Sequence, residues 1–477
     1  MCEPHRPVRL ASLVFSLLAA AGCAAPVAVP FRVVEAAGAE PLRGATSLRL
    51  VLMQGHTEIA AVEGPVAAGY PPLPEIAFGS NYRLRVEARD RDVVLARGSS
   101  FPFEVDLAGA SPAPHVLLGR VGRFAAVPAV PDTTRPDANV VAAFPTVSGA
   151  LLVTALGTVY LYRQHPSAAE PIALEVLAHI PSREGAAWCV LEGAGLLGVG
   201  GAVAGATLLD ASGQEIATSV DAALVAHRDG ASLIGLPGDS VAALVLGGAT
   251  TALAPPTGAV TRLERMPDGS LAVTALPLAE LPTPRARAGA ALVHVDVGGV
   301  EELRVVVAGG VGAAGATGSA ALVDPVGLAP STEVALGVSL RSAAVVALSS
   351  RLVLFAGGAA DDGIPSQAVR LLSADGAGLS VVAPPPQLLD APRAGAGALM
   401  LTEGLMLLVG GTGLGGAPLS TAELVRVDLE TFPGIVLPTG SLPTPQAAPR
   451  LVILGDGTVL SADASGLAFY IPPVELL

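Results

Sequence analysis

The sequence predicts an all-β protein in which a seven-bladed β-propeller follows a small β-sandwich domain. Three observations lead to this fold class. Apolar runs that end in paired glycines recur through most of the chain, at a spacing of about 50 residues that is typical of repeat folds. Short segments of alternating polarity fill the region before them. Finally, the 56 Gly and 41 Pro residues of this 477-residue chain lie between apolar runs, as in a turn-rich β fold.

The charge balance argues against nucleic acid as a partner. The net charge is −14, only 14% of the residues are charged, and Lys and Arg form no basic stripe. Beyond residue 30, Gly, Pro or a charge interrupts every apolar stretch before it reaches about 18 residues, the length that a membrane-spanning helix needs. We therefore expect neither a nucleic-acid-binding protein nor a multi-span membrane protein.

The first element is a secretory signal over residues 1–22. Arg6 and Arg9 precede an apolar stretch of 12 residues, Leu10–Ala21, which is too short to span a bilayer. The sequence Ala-Ala-Gly-Cys follows and ends at Cys23. This ending resembles the lipobox of bacterial lipoproteins. The alternative is an ordinary signal peptide that is cleaved nearby.

The lipobox resemblance implies cleavage before Cys23, lipid on that cysteine, and a tether over residues 23–30. Two or more acyl chains anchor a protein stably. Ala24, rather than Asp, follows the cysteine, which by the same resemblance implies the outer membrane. Cys189 is then the last free thiol, so the mature chain forms no internal disulfide. Because Cys189 lies in the apolar run AAWCVL, we expect it to be buried and inert.

Residues 31–108 form the predicted small domain. Tyr82, Leu84, Val86 and Ala88 alternate with charged residues and predict a half-buried strand whose charged face is solvated. The segments NYRLRVEARD and VVLARG predict one hairpin, and TSLRLVLMQG and HTEIAAVEG predict another. Four to seven short strands suggest an immunoglobulin-like sandwich. GASPAP, residues 109–114, reads as a linker.

The repeat array is the strongest signal in the sequence. Five apolar runs end in glycine pairs, at Gly201, Gly248, Gly310, Gly358 and Gly411. Turns marked by Pro and Arg precede three of the pairs, as in PSREGAA, PTPRARAGA and APRAGAGA. Each unit predicts a four-stranded meander. This array resembles the kelch repeat of β-propellers, although the Tyr and Trp that the kelch pattern carries downstream are missing. We attribute the glycines to crowding of strands near the propeller axis.

The array predicts seven blades within a propeller that spans residues 115–477. The predicted repeats are 136–185, 186–229, 230–284, 285–340, 341–392, 393–444 and 445–477. The last repeat has only three strands, so we expect residues 115–127 to supply its fourth strand and close the ring. Six blades is the alternative, if residues 445–477 merge with the weak first repeat.

Two glycine-rich stretches also match the dinucleotide-binding pattern G-x-G-x-x-G. They begin at Gly310 and Gly411. That pattern binds pyrophosphate only when a helix opens at the glycines. The segments that follow are strand-like and reach Pro325 and Pro433, so they leave no room for such a helix. We conclude that the glycines belong to the repeat.

Some kelch-like propellers are copper-radical oxidases that resemble galactose oxidase, and this resemblance implies a site of two Tyr, two His and one Cys. The propeller region offers Tyr160, Tyr162, Tyr470 and Cys189, but no family motif surrounds the cysteine. We therefore expect no catalytic residues, no metal and no cofactor.

The function predicted from the sequence is binding or scaffolding at the bacterial cell envelope by a non-enzymatic, lipid-anchored outer-membrane protein. The expected partner is a protein or another envelope component. Candidate contacts are Thr412, Asp361 and Asp362, in loops that follow glycine pairs, because loops on a rigid scaffold commonly carry binding. The Asp pair is either a calcium or ligand contact or a solvated turn. The alternative function is an envelope oxidase or hydrolase with a site dispersed over several blades.

Overall fold

The computed structural model describes residues 26–36, 38, 40–106, 109–111, 113–127, 135–164, 172–191, 195–201, 205–216, 228–238, 242–251, 253–268, 270–383, 387–432 and 434–473. The signal segment and Cys23 lie outside these ranges. Within them, helical structure includes three short 3-10 turns, Val66–Ala68, Pro277–Ala279 and Leu414–Gly416. None of the helices found in these ranges is long and apolar enough to cross a membrane.

The small domain is built from eight strands that join in one hydrogen-bonded assembly, in the order β1-β8-β5-β4-β2-β3, with β6 pairing to β4 and β7 to β6. Both predicted hairpins, β2–β3 and β4–β5, are present. The strands are β1 (Arg32–Glu35), β2 (Ser47–Gln54), β3 (Thr57–Pro65), β4 (Gly79–Asp90), β5 (Val93–Ser99), β6 (Phe103–Asp106), β7 (Gly109–Ser111) and β8 (His115–Arg120).

The small domain extends further along the chain than the sequence suggested. The expected linker, 109–114, contains β7, which pairs with β6. Strand β8 pairs with β5 and runs parallel to β1, so it belongs to this domain and does not close the propeller. A Pro-rich segment with small residues looked like a linker, but Gly109–Ser111 completes an antiparallel hairpin.

The apolar face of β4 is buried as predicted, but its charged face is not simply solvated. Arg85 and Glu87 are only 9% and 5% exposed. The Glu87 carboxylate lies 3.2 Å from Nε of Arg85 and 3.3 Å from Nε of Arg89. On the neighbouring strand, Arg97 Nη2 donates a 2.7 Å hydrogen bond to the carbonyl of Pro472 in the propeller. The expectation of a solvated face was wrong because the propeller packs against this part of the sheet.

The propeller has seven four-stranded antiparallel blades, which confirms seven blades over six. The first strand of each blade lies beside the first strand of the next, all the way round the ring. The blades are β10 (Val140–Thr146), β11 (Gly149–Thr154), β12 (Thr158–Gln164) and β13 (Ile172–His179); β14 (Ala187–Leu191), β15 (Gly195–Val199), β16 (Ala206–Leu209) and β17 (Glu215–Ile216); β18 (Ser232–Leu236), β19 (Ala242–Leu246), β20 (Val260–Arg265) and β21 (Leu271–Ala275); β22 (Gly289–Val297), β23 (Val300–Ala308), β26 (Ser319–Val323) and β27 (Thr332–Ala335); β28 (Ala344–Ala347), β29 (Leu352–Ala356), β30 (Val369–Asp375) and β31 (Gly378–Val381); β32 (Gly397–Thr402), β33 (Leu405–Val409), β34 (Ala422–Val427) and β35 (Gly434–Pro438); and β36 (Arg450–Ile453), β37 (Val459–Asp463) and β38 (Gly466–Ile471) with β9 (Arg123–Ala126). A two-stranded hairpin, β24 (Val311–Gly312) and β25 (Gly315–Ala316), lies in a loop of the fourth blade.

The ring closes through β9, which we call the closing strand. It pairs antiparallel with β38 and completes the seventh blade. Only residues 123–126 of the predicted segment 115–127 do this, because β8 is already committed to the small domain. Two residues, Val121 and Gly122, separate β8 from the closing strand, and Val121 forms a β-bridge with Ile471.

The small domain packs at one end of the blades. Phe101 and Leu117 share a core with residues of the seventh and first blades. A Cβ atom on Gly455 would lie 2.8 Å from the ring of Phe101. Gly455 lies in the turn between β36 and β37, so the small domain contacts the end of the propeller where first strands turn into second strands.

Candidate binding site at the propeller axis

The opposite end of the propeller is the end where the second strands finish at their glycine pairs, and we call it the Gly-Gly face. Both glycines of each pair have left-handed φ angles, for example 62° at Gly247 and 89° at Gly248. The second glycine donates its N–H to the next blade, as in Gly248 to Arg285 O at 2.9 Å and Gly358 to Arg393 O at 2.8 Å. The pairs therefore join adjacent blades, and their left-handed backbone and close approach explain the glycines better than crowding at the axis.

Four arginines organise the same face, and we call them the clamp arginines; three of them are buried and Arg228 is half-buried. They are Arg183, Arg228, Arg285 and Arg393. Each precedes the first strand of its blade and donates from Nη1 to the carbonyl of the first glycine of that blade's pair, at distances of 2.7–3.3 Å. Arg393 is fully buried and also contacts Glu423, which is 2% exposed. Desolvation lowers the pKa of Arg393, and the charge of Glu423 acts against this shift.

The residue two places after each clamp arginine has a left-handed backbone, and so has Ser342 at the equivalent place of the fifth blade. The φ angles are 76° at Gly185, 63° at Gly230, 55° at Arg287, 54° at Ser342 and 68° at Gly395. These turns are linked between blades by backbone hydrogen bonds, including Gly230 N to Gly185 O at 2.9 Å and Gly395 N to Ser342 O at 2.9 Å. The linked turns form a rim around the axis and hold their neighbouring side chains in fixed positions.

A cavity of about 700 Å³ opens inside this rim, and we call it the axial cavity. Its lining comes from five of the seven blades: Val141, Glu184, Gly185, Ala186, Gly201, Asp229, Gly230, Ala231, Thr250, Thr251, Arg287 and Arg450. A deeper cavity of about 470 Å³ shares Val141, Ala186, Ala231 and Arg450 with it. The lining of the deeper cavity combines alanine and other apolar residues with Trp188, Cys189 and Ser232. Volumes of this size are typical of small-molecule sites.

The charged side chains of the axial cavity differ in how they are partnered. Arg287, whose side chain is 57% exposed, lies 3.7 Å from the Asp229 carboxylate. Glu184 is exposed, and neither Glu184 nor Arg450 has a hydrogen-bond or ion-pair partner among the described residues. One acid and one base at the rim thus neutralise each other, while a second acid and a second base are available to a ligand.

Arg450 stands where the two cavities meet. It begins β36, a first strand, and it is exposed to solvent. An arginine stays charged at neutral pH. The two cavities therefore share an exposed positive charge.

The residues predicted from sequence lie elsewhere on the Gly-Gly face. Asp361 accepts a hydrogen bond from Ala316 N in a loop of the preceding blade. Asp362 accepts one from Ile364 N at 2.9 Å, within its own turn. Thr412 N donates to Ala394 O at 2.8 Å. The structure does not bring the three together, and the described lining of the axial cavity includes none of them.

The residues considered for a radical oxidase are also dispersed. Tyr160 and Tyr162 pack between the seventh and first blades, Tyr470 between the sixth and seventh, and Cys189 between the second and third. Burial raises the pKa of the Cys189 thiol to about 12. Over the described ranges, no group of three or more His, Cys, Asp or Glu is placed to hold a metal ion. After the glycines that begin at Gly411, a single 3-10 turn leads into β34, so no dinucleotide-binding helix follows.

The residues that line the axial cavity were not predicted from the sequence. They are isolated charges, and five blades contribute to the lining, so no local motif marks them. A usable signal was present in the turns PSREGAA and PTPRARAGA, which place Glu184 and Arg287 one and two residues after a clamp arginine, in nearly the same phase of the repeat. That phase places both side chains just before a first strand, which is where a propeller brings its blades to the axis.

Comparisons with known proteins identify no family for this chain. No family model matches the sequence, and no curated protein matches it. Among solved structures, the chain is similar to that of YjhT, with 13% identity and a TM-score of 0.43, over 64% of this chain and 99% of that one. The count of seven blades rests on the strand pairing of this chain.

Proposed function

We propose that this protein is a binding module of the bacterial cell envelope, and that the axial cavity on the Gly-Gly face is its binding site. The observation that carries the proposal is the position of this cavity. It opens at one end of the propeller, while the small domain packs at the end that contains the turn at Gly455. A rigid, concave site surrounded by loops is the usual location of ligand binding in such folds.

The lipoprotein signal implies which end of the molecule lies nearer the membrane. With Cys23 lipidated, the chain is tethered to the outer membrane at the start of the small domain, as an immunoglobulin-like spacer would be. The propeller, which is kelch-like in its glycine pairs, then presents the Gly-Gly face away from the small domain. A partner that approaches from the side away from the anchor meets the axial cavity first.

Site-specific photocrosslinking in intact envelopes tests this proposal. A photoreactive p-benzoylphenylalanine replaces Thr251, an exposed residue of the cavity lining, or Val300, which is 60% exposed at the start of β23, at the other end of the blades. We expect a discrete crosslinked partner from position 251 and none from position 300. Equal crosslinking from both positions, or none from either, would contradict a binding site on the Gly-Gly face.

Two further experiments test the lipid anchor at Cys23 and the alternative that the protein is an enzyme. A Cys23→Ser variant should lose fatty-acid labelling and leave the membrane fraction, and continued labelling would contradict lipidation. If the purified protein consumes substrates of an oxidase or hydrolase panel, and activity survives a Thr251→Trp change in the cavity, the dispersed-site enzyme replaces the binding module as the better interpretation.

A further inference from the structure

We propose that a cavity between the third and fourth blades binds a neutral, mainly apolar small molecule. The third blade contributes Leu236, Pro237 and Ala242 to its lining, and the fourth blade contributes Val326 and Leu328. These residues lie where first strands turn into second strands, at the end of the propeller opposite the Gly-Gly face. We call it the inter-blade cavity. Its volume of about 530 Å³ is typical of small-molecule sites, and it is separate from the axial cavity.

The fourth blade carries extra structure at this end of the propeller. Its first two strands, β22 and β23, have nine residues each, whereas β28 and β29 of the fifth blade have four and five. The turn from the third to the fourth strand covers residues 324–331 in the fourth blade and only 376–377 in the fifth. The fifth blade shows that a complete blade does not need these additions. Since they form one wall of the inter-blade cavity, we attribute them to the cavity.

A buried carboxylate holds this wall in place. Asp324 is 5% exposed and accepts hydrogen bonds from Val326 N at 3.0 Å and Leu328 N at 2.8 Å. Gly327, with a φ angle of 75°, packs on the third blade, where a Cβ atom would lie 2.9 Å from Leu276 Cδ2. The turn that carries Val326 and Leu328 is therefore fixed before a ligand arrives. Such preorganisation lowers the entropic cost of binding.

The walls present mainly apolar surface to the cavity. Leu328 is 80% exposed, Val326 53% and Val297 39%, although all three are large apolar side chains. They line the cavity together with Leu236, which lies in the opposite wall and is 8% exposed. Accessible apolar side chains that converge on one concavity are typical of binding sites. Burial of this surface against an apolar ligand would supply the affinity.

The charged side chains of the lining are paired within the protein. Arg304 pairs with Glu302 and lies 3.6 Å from the Asp324 carboxylate. Arg262 pairs with Glu264, with 2.6 Å between Nη2 and Oε1. A charged group on the ligand would have to break one of these pairs or remain without a partner, and both are costly away from water. The cavity therefore favours a neutral ligand over a charged one.

Two fluorescent probes that differ by one charged group test this ligand class on the full chain. N-phenyl-1-naphthylamine is neutral and fluoresces more strongly in apolar surroundings, and we expect it to bind saturably. The probe 8-anilinonaphthalene-1-sulfonate has the same rings and one added sulfonate. It should bind more weakly by about tenfold or more, because the arginines of the lining are already paired.

Substitutions in the lining locate the bound probe. Leu328→Ser should weaken binding of the neutral probe by about fivefold or more, because apolar contact is lost. Ala329→Trp should weaken it as well, because a large side chain takes up space in the cavity. The matched control is Leu414→Ser, at a leucine that is 65% exposed on the Gly-Gly face, and it should bind the probe as the natural chain does. Urea unfolding of each variant shows that the fold is retained.

Three results would overturn this assignment: no saturable response to the neutral probe, equal effects of Leu328→Ser and Leu414→Ser, or equally tight binding of the sulfonate probe. The crosslinking test at position 251 is independent, because the two cavities lie at opposite ends of the propeller. A small molecule adds too little mass to give a discrete crosslinked band at position 300, so that position still serves as the control there.

Discussion

At the scale of single residues, the clamp arginines show how this chain uses its few charges. The chain is only 14% charged, yet four arginines at equivalent positions, three of them buried, donate to carbonyls at the ends of second strands. The fifth blade has Leu340 at that position, and the seventh has Gln446. The sequence shows the Arg-marked turns but does not show that these side chains turn inward. Whether an arginine faces water or a carbonyl depends on the adjacent strands, which a local pattern does not contain.

Removal of one clamp arginine should destabilise the propeller strongly. Arg393→Met leaves the buried Glu423 carboxylate without its cation, and we expect the free energy of unfolding to fall by about 3–5 kcal/mol. The double variant Arg393→Met, Glu423→Leu should regain most of this loss, since no charge is left buried. Urea unfolding measures both changes.

The control for this series is Arg351→Met, at an exposed arginine of the fifth blade. It should change the free energy of unfolding by no more than about 0.5 kcal/mol. A double variant that is as unstable as Arg393→Met would show that the arginine acts through its bonds to the carbonyls of Gly410 and Thr421 rather than through Glu423.

At the scale of elements, the glycine pair is both the most predictable feature and the one whose purpose was misjudged. Its recurrence located the ends of five second strands. The expected reason was crowding at the axis, but the pairs end the second strands, one strand away from it. The sequence shows that glycine recurs at the ends of five second strands. The φ angles and the close approach of a carbonyl from the next blade show why glycine is needed there. The small domain illustrates the same limit, because its hairpins were predicted and its last strand, β8, was assigned to the wrong domain.

The blade-to-blade contact at the glycine pairs predicts an unequal response to one kind of substitution. A Cβ at Gly247 would lie 2.2 Å from Arg285 O, whereas a Cβ at Gly363, also left-handed at 80°, has nothing within 4 Å. Gly363→Ala should cost about 1–2 kcal/mol, the cost of the backbone conformation alone. Gly247→Ala should cost about 2–5 kcal/mol, because overpacking against the next blade adds to it.

Thermal or urea unfolding of the two glycine variants compares these costs directly. Both changes add one methyl group to a left-handed glycine on the Gly-Gly face, so the difference between them isolates the contact with Arg285 O. Equal stabilities would mean that the pair at Gly247 is retained for its φ angles and not for the approach of the next blade.

At the scale of the whole molecule, the period of the repeat was enough to predict the ring but not its site. Seven repeats with a three-stranded last repeat require a strand from elsewhere, and β9 supplies it. The axial cavity could not be predicted in the same way. Val141 and Arg450 lie at opposite ends of the array and meet only once the ring has closed.

A covalent link across the closing pair should stabilise the whole ring. Ala126 and Ala468 face each other in the β9–β38 ladder. In the variant Ala126→Cys, Ala468→Cys, an oxidised disulfide should raise the free energy of unfolding by up to about 5 kcal/mol, because it restricts a long loop in the unfolded chain. Thermal unfolding with and without reductant measures the gain. The variant Ala126→Ser, Ala468→Ser should show no dependence on reductant, and a disulfide that gives no gain would argue against closure at this pair.

The position of the closing strand also has a consequence for how the chain is made. Ala126 leaves the ribosome long before Gly466, so for most of synthesis β9 has no partner and the ring stays open. A product that stops short of β38 retains an unpaired strand and an unfilled core where the seventh blade should be. Such exposed edges promote aggregation, and unfolded chains are removed by proteases. The topology therefore leaves β9 paired only in a chain that has reached β38.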